Sequence, residues 1–149
     1  MTTELVLVDG LSPEDVALVH REALVVLRSD LDQAWLEARS DHPWPPEVLD
    51  SYESLLALAR EAVAAGTRSP ESDPGTAIGI DPHDDAQFDL FSDLAPYTTG
   101  AEAWRDDELV FSTSDTGSTL RFFLTDRQEA ELHSRLDALG IPPTVLEPA

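Results

Sequence analysis

Four residues near the middle of the chain have side chains that commonly bind divalent metals: Asp81, His83, Asp84 and Asp85. Carboxylate oxygens suit Mg²⁺, Ca²⁺ or Mn²⁺, and a metal held here would indicate a metal-dependent hydrolase. The spacing, however, matches neither an EF-hand loop nor the H-E-x-x-H motif of zinc peptidases. The alternative interpretation is structural, with Asp84 or Asp85 capping a short helix that ends at Leu94.

A second stretch with catalytic residue types is the quartet Asp115, Thr116, Gly117 and Ser118. It resembles the D-T-G-S signature of the pepsin-like aspartic proteases, whose aspartate shares a proton with a second aspartate. The chain has a single D-T-G, and residues 112–114 before it are polar where the family pattern is apolar. Aspartate and glycine between two strand-like segments are typical of a turn. The quartet therefore predicts a β-hairpin with Asp115 as a turn residue.

Other catalytic signatures that depend on a short motif are absent from the sequence. Cysteine and lysine do not occur, which excludes disulfides, cysteine nucleophiles, Schiff-base chemistry and the P-loop. There is no G-x-S-x-G elbow and no G-x-G-x-x-G loop, and the four histidines are scattered along the chain. These absences favour a binding protein over an enzyme, and no cofactor is expected.

Charge is the strongest global property of the sequence. Thirty acidic residues face nine arginines, for a formal net charge of −21, and the excess is spread evenly along the 149 residues. GC-rich coding, a high-salt interior or a basic protein partner would each account for it, and in the last case the negative field would accelerate association. Direct binding to DNA, RNA or an anionic membrane is disfavoured, because phosphates require clustered basic residues.

Candidate partner-binding residues concentrate in the longest arginine-free stretch, residues 69–104, which contains eight acids. Phe88, Phe91 and Leu94 recur there every three residues between aspartates. That pattern fits a helix presented to a partner or a helix packed on the core, and core packing is favoured. Trp44 lies between prolines, where it either projects as an interface anchor or folds back as a plug. The candidate set is Trp44, Asp84, Asp85, Phe88, Asp89, Phe91, Asp93 and Trp104.

The first half of the sequence predicts two long helices after a short strand at residues 4–8. Ser12 is typical of a helix N-cap, and helical spacing of apolar residues continues from there to Ala38, with a possible break near Ser29. A second helix is predicted over residues 46–65. The two helices are expected to pair antiparallel across the intervening proline-rich connector.

The second half predicts a loop at residues 67–75, a short strand at 76–80 and then a hairpin with strands at 109–113 and 119–124. Thr125 and Gln128 fit a capping box that opens a last helix, which ends at Gly140 and is followed by an extended tail. We therefore expect an α+β fold, in which a small, largely antiparallel sheet with a C-terminal β-hairpin packs against two long N-terminal helices and a C-terminal helix.

The length predicts one domain over residues 1–149, with a helical part at about 12–66, an acidic loop and short-helix segment at 67–104, and the hairpin and helix at 105–140. The N-terminus lacks the pattern of a secretory signal, so a cytoplasmic location is expected. The leading functional hypothesis is a small acidic protein that acts by protein–protein interaction, most concretely an immunity- or antitoxin-like inhibitor or regulator of a basic partner. A metal-dependent hydrolase using His83, Asp84 and Asp85 and a DNA-mimic inhibitor are the alternatives, and the oligomeric state is left open.

Overall fold

The structure, a computed structural model, describes residues 2–39, 42–69 and 77–149. Within these residues seven strands form one antiparallel sheet in the order β3-β2-β4-β5-β6-β1-β7, and four helices accompany it. This confirms the α+β class. The strands are β1 (Thr2–Leu7), β2 (Gln33–Leu36), β3 (Ile78–Ile80), β4 (Gly100–Arg105), β5 (Glu108–Ser114), β6 (Thr119–Thr125) and β7 (Leu146–Pro148). The helices are α1 (Pro13–Leu27), α2 (Leu49–Ala64), α3 (Asp85–Leu94) and α4 (Asp126–Ala138).

Three of the helices begin at the caps that the sequence predicts. The Ser12, Asp84 and Thr125 side chains each accept a hydrogen bond from the backbone amide three residues ahead, which satisfies one of the free amides of a helix start. At α4 the Gln128 side chain also accepts from the Thr125 amide at 3.0 Å, which completes the predicted capping box.

The core lies between one face of the sheet and helices α1, α3 and α4, while α2 packs on α3. Alternate residues of β6 supply its centre: Leu120, Phe122 and Leu124 are at most 2% exposed, whereas Arg121 between them faces solvent. This two-residue alternation is the pattern of a sheet with one covered face. The predicted hairpin is confirmed as β5 and β6.

The tip of the hairpin formed by β5 and β6 is tightly wound. Asp115, Thr116 and Gly117 all have positive φ, at 53°, 56° and 90°. The left-handed region is costly for a β-branched residue such as Thr116. Here the Thr116 amide donates to the carbonyl of Thr98 at 3.0 Å, which holds the tip against the neighbouring turn. The Asp115 carboxylate is exposed and accepts from the Thr119 hydroxyl, so it is a turn residue, as predicted.

The predicted extent of the first helix is wrong. Helix α1 ends at Leu27, a short 3-10 turn follows at Arg28–Asp30, and Gln33–Leu36 form β2. Ala34 and Leu36 point into the core. Apolar residues at this spacing fit a helix as well as a strand, and β2 is fixed by pairing with both β3 and β4 rather than by its own pattern.

Within the segment 67–104, the predicted short strand and short helix are present as β3 and α3, and a further strand, β4, begins at Gly100. The sequence of β4, GAEAWR, is poor in the β-branched residues that mark strands. Helix α2 packs on α3, so the predicted pairing of the two long helices is also wrong. Most of the predicted loop, together with Thr76, Ser40 and Asp41, lies outside the described residues.

Candidate functional site

A concave site of about 420 Å³ lies on the helical side of the molecule. It is formed where α1 approaches the turn before α2 and the end of α3. We call it the acidic groove, and it is lined by Glu14, Ala17, Leu18, Arg21, Glu47, Val48, Ser92, Asp93, Pro96 and Tyr97. Its floor is apolar and its rim is charged, a combination found in many recognition sites.

Three carboxylates dominate the rim of the acidic groove: Glu14, Glu47 and Asp93. None of them forms an ion pair with a described residue. The one guanidinium at the rim, that of Arg21, instead pairs with the neighbouring Glu22 at 3.2 Å. The groove therefore has an uncompensated negative charge.

The pKa of the Tyr97 phenol reflects the negative charge of the acidic groove. This pKa is raised above the ordinary value, first by partial burial of the phenol and then by the nearby carboxylates of Glu47 and Asp93. Nearby carboxylates disfavour ionisation of the phenol, because the phenolate would be a further negative charge. For the same reason, a positively charged group close to these carboxylates would be favoured.

The wall beside Tyr97 is held by the proline-rich connector. His42 Nε2 donates to the Tyr97 carbonyl at 2.7 Å, and the His42 ring packs edge-on against Trp44. Trp44 in turn stacks on Tyr52 of α2, with ring centroids 5.1 Å apart. Trp44 is half-buried by these contacts, so it folds back as a plug behind the groove rather than projecting from the surface.

Ser92 is a buried polar residue in the wall of the acidic groove. It is 8% exposed, and its hydroxyl makes no hydrogen bond with any described residue. A serine within a helix usually bonds to the carbonyl four residues earlier when it is buried. Ser92 therefore keeps a free hydrogen-bonding group at the edge of the cavity.

The predicted partner-binding residues are distributed over several parts of the molecule. Asp93 lines the groove, and Asp85 and Asp89 precede it at four-residue intervals on α3, where both are exposed. Phe88 and Phe91, at 4% and 1% exposure, belong to the core, which agrees with the favoured interpretation of their spacing. These two rings cannot contact a partner in this conformation.

The predicted metal ligands do not converge. The Asp81 carboxylate accepts from the His83 amide at 2.9 Å, Asp84 caps α3, and Asp85 pairs with Arg28. Among the described residues, no three His, Asp or Glu side chains lie close enough to hold a metal ion. The structure therefore gives no support to the metal-dependent hydrolase, which we do not propose.

A second surface, the open sheet face, lies on the side of the sheet opposite to the helical core. Register and alternation place Trp35, Trp104 and Phe123 on it, all half-buried. Trp104, a predicted partner-binding residue, therefore lies far from the acidic groove in the fold. On strands β1 and β6 of this face, Glu4 and Arg121 pair at 3.5 Å, so their charges offset each other.

Sequence reasoning missed several residues of the acidic groove, namely Glu14, Glu47, Ser92 and Tyr97. Glu14 lies in the first turn of α1, where an acidic residue is favoured by the helix dipole. Glu47 and Tyr97 are 50 residues apart and meet only because α2 packs on α3. The residue types gave a partial signal, because Glu47 is an exposed acid and Tyr97 is an aromatic residue next to a proline. Nothing in the sequence, however, indicates that these two residues lie close together.

Comparison of the chain with protein families, with curated proteins and with solved structures finds no match. Among the described residues, no helix is long and apolar enough to cross a membrane.

Proposed function

We propose that this protein binds a basic partner protein through the acidic groove. An immunity- or antitoxin-like inhibitor or regulator of that partner is the most concrete form of the function. The observation that supports it best is the uncompensated set of Glu14, Glu47 and Asp93 around an apolar floor.

The two components of the groove have different roles in binding. The carboxylates, together with the net charge of −21, would attract a positively charged surface and raise the association rate. The apolar floor at Leu18 and Val48 would exclude water once the partner is seated, which slows dissociation. Exposed Asp89 extends the negative field along α3 away from the groove.

A nucleic acid is a poorer fit to this surface. The ion pairs of Arg21, Arg28, Arg105, Arg121 and Arg135 with neighbouring acids use five of the nine arginines. Such arginines are already neutralised and cannot contribute fully to phosphate binding. A basic protein needs no such residues, because its own charges complement the carboxylates.

The test uses two variants with the same charge change. The groove variant is Glu14→Gln with Glu47→Gln and Asp93→Asn, and the control variant is Asp9→Asn with Asp107→Asn and Asp137→Asn at exposed positions outside the groove. Wild type and both variants are used to capture proteins from the native host. We expect a basic protein that wild type and the control variant retain and the groove variant loses. If both variants lose the captured protein to the same extent, net charge alone is responsible for the binding.

The captured protein is then purified, and its association with wild type is measured between 50 and 500 mM NaCl. Electrostatic steering predicts that the association rate falls about tenfold or more over this range, with a smaller change in the dissociation rate. Assays of the partner's own activity with and without this protein would then test inhibition. An association rate independent of salt would contradict the proposed mechanism.

A further inference from the structure

We infer that the acidic groove seats one arginine side chain of the basic partner, with its guanidinium donating hydrogen bonds to the Ser92 hydroxyl and to the Asp93 and Glu47 carboxylates. This inference rests on the proposed function in one respect, namely that the arginine belongs to a basic partner protein. The residues that line the acidic groove, and their chemistry, are the same whichever molecule supplies the arginine.

Ser92 distinguishes the groove from an ordinary acidic surface. Ser92 is only 8% exposed, and its hydroxyl has no partner among the described residues, yet the oxygen itself is not fully buried and can be reached from the cavity. It faces a cavity that is open to solvent and bordered by Asp93, the next residue along α3. A donor entering the cavity would satisfy this hydroxyl, which can accept a hydrogen bond.

The carboxylates indicate that the donor is cationic. Glu47 and Asp93 both line the groove, and both lie near enough to Tyr97 to raise the pKa of its phenol. Neither forms an ion pair with any described residue, and the Asp93 carboxylate accepts only one hydrogen bond that the structure shows, from Ser51 at 3.0 Å. Both therefore have lone pairs left for a ligand.

Guanidinium fits this set of acceptors better than ammonium. Its five N–H donors lie in one plane and point in different directions, so it can bond two carboxylates and a hydroxyl together. The ammonium of lysine is a compact charge that holds its hydration more strongly. The apolar floor from Leu18, Val48 and Pro96 offers a surface for the methylene stem of arginine.

The protein's own Arg21 does not fill this role. It lies at the rim of the acidic groove but pairs with Glu22, which also lies 3.4 Å from Arg135 on α4. Arg21 Nε is therefore engaged by Glu22, and no ion pair joins Arg21 to Glu14, Glu47 or Asp93. The arginine that we infer for the groove comes from another molecule.

The experiment titrates the ¹⁵N-labelled protein with N-acetyl-arginine methylamide and, separately, with N-acetyl-lysine methylamide at 150 mM NaCl. We expect the arginine probe to shift the amides of Ser92, Asp93 and Tyr97 saturably and to bind at least about fivefold more tightly than the lysine probe. Free L-arginine is a third arm. It has the same net charge as the blocked probe, so tighter binding of the free amino acid would show that its α-ammonium and α-carboxylate are also recognised, which would overturn an arginine side chain as the ligand.

Two variants test the named contacts. Ser92→Ala should weaken the arginine probe about two- to tenfold, the range expected for one hydrogen bond, and Glu47→Gln by a similar or larger factor. Ser112→Ala, which changes a serine on the open sheet face, is the matched control and should leave binding unchanged. Folding of each variant is checked from the dispersion of the same spectra.

Failure of this inference and failure of the proposed function are distinguishable. If the probes bind equally, or Ser92→Ala has no effect, while capture of a basic protein still requires the groove acids, then the arginine seat is wrong and the partner proposal stands. If the arginine probe binds as expected but no basic protein depends on the groove, the seat is supported and the partner proposal fails. Absence of any saturable shift with the arginine probe overturns the seat outright.

Discussion

The acidic groove and the open sheet face show how one composition produces two different surfaces. The groove gathers three carboxylates that have no ion-pair partner among the described residues. On the open sheet face, Glu4 and Arg121 offset each other, and the large side chains are Trp35, Trp104 and Phe123. Acidic residues that are spread evenly along the chain are thus concentrated unevenly in space. The groove should respond to salt and the sheet face to loss of apolar area.

The two surfaces are joined through the hairpin and α1. Gly117 at the hairpin tip packs against Pro96 and Val16, which adjoin the acidic groove. His20 of α1 bonds to Thr113 of β5 inside the core, at 2.8 Å. Changes at these joints should disturb both surfaces, whereas changes on one surface should leave the other intact.

The largest effect is expected at Gly117. In Gly117→Ala the new Cβ would lie 2.5 Å from the Pro96 carbonyl oxygen, and φ there is 90°. Left-handed strain and a clash with backbone together should lower the free energy of unfolding by about 3 kcal/mol or more. Urea denaturation measures this, and amide shifts at Ser92 and Tyr97 should show that the groove wall has moved.

Gly10→Ala is the matched control for that change. Gly10 has a similar φ of 84°, but no heavy atom lies within 4 Å of the position its Cβ would take. Only the left-handed strain applies, so the loss should be about 1 kcal/mol. Equal losses in the two variants would mean that the packing of the hairpin tip contributes nothing.

The next effect concerns His20, which is fully buried in the core. Nδ1 donates to the Val16 carbonyl at 2.7 Å, and Nε2 lies 2.8 Å from the Thr113 hydroxyl. Burial lowers the pKa of His20 to about 4, although the bond to Val16 opposes the shift. The unfolded chain binds a proton below about pH 6.5 and the folded protein does not. The free energy of unfolding should therefore fall by about 2 kcal/mol between pH 7 and pH 5 through this residue.

The contribution of His20 is isolated by comparison with His20→Gln, whose side chain can still bond to Thr113 but does not titrate. Urea denaturation of both proteins at pH 7, 6 and 5 gives two slopes, and the carboxylates affect both alike. The wild type should have the steeper loss of stability towards pH 5. Parallel slopes would show that His20 is protonated in the folded protein, or that it is not buried as described.

The smallest effects compare the two surfaces directly. Trp104→Ala removes half-buried apolar area from the open sheet face and should cost about 1–2 kcal/mol at any salt concentration. The groove variant removes mutual repulsion and should be neutral or stabilising by about 0.5 kcal/mol, more at 20 mM than at 500 mM NaCl. Gln33→Ala, beside Trp104 in the sheet, is the control and should change stability by less than about 0.5 kcal/mol.

Local signals in the sequence predicted the elements that are stabilised locally. The caps at Ser12, Asp84 and Thr125 and the D-T-G turn are short-range patterns, and each lies where expected. Strands β2 and β4 were missed because their stability comes from neighbours distant in sequence, and Ala101 or Ala103 says little about a strand on its own.

The candidate site was harder to predict than the fold for the same reason. Of the groove residues, only Asp93 was among the predicted partner-binding residues, because it lies within the repeating pattern of Phe88, Phe91 and Leu94. Glu14, Glu47 and Ser92 come from three separate elements, and an exposed glutamate in one helix has no visible relation to a serine in another. Aromatic spacing, by contrast, identified core packing at Phe88 and Phe91 because that periodicity is a property of one helix.

The position of β1 determines when the sheet can be completed. This strand, Thr2–Leu7, lies between β6 and β7 and pairs with both. During synthesis at about 5–20 residues per second, it must wait for about 110 further residues before β6 exists. The hairpin of β5 and β6 needs only a short loop closure, whereas β1 must join it across nearly the whole chain, which is an intrinsically slow step. Completion of the sheet should therefore be late in folding, because β1 must join β6 before β7 can pair with β1 at the sheet edge.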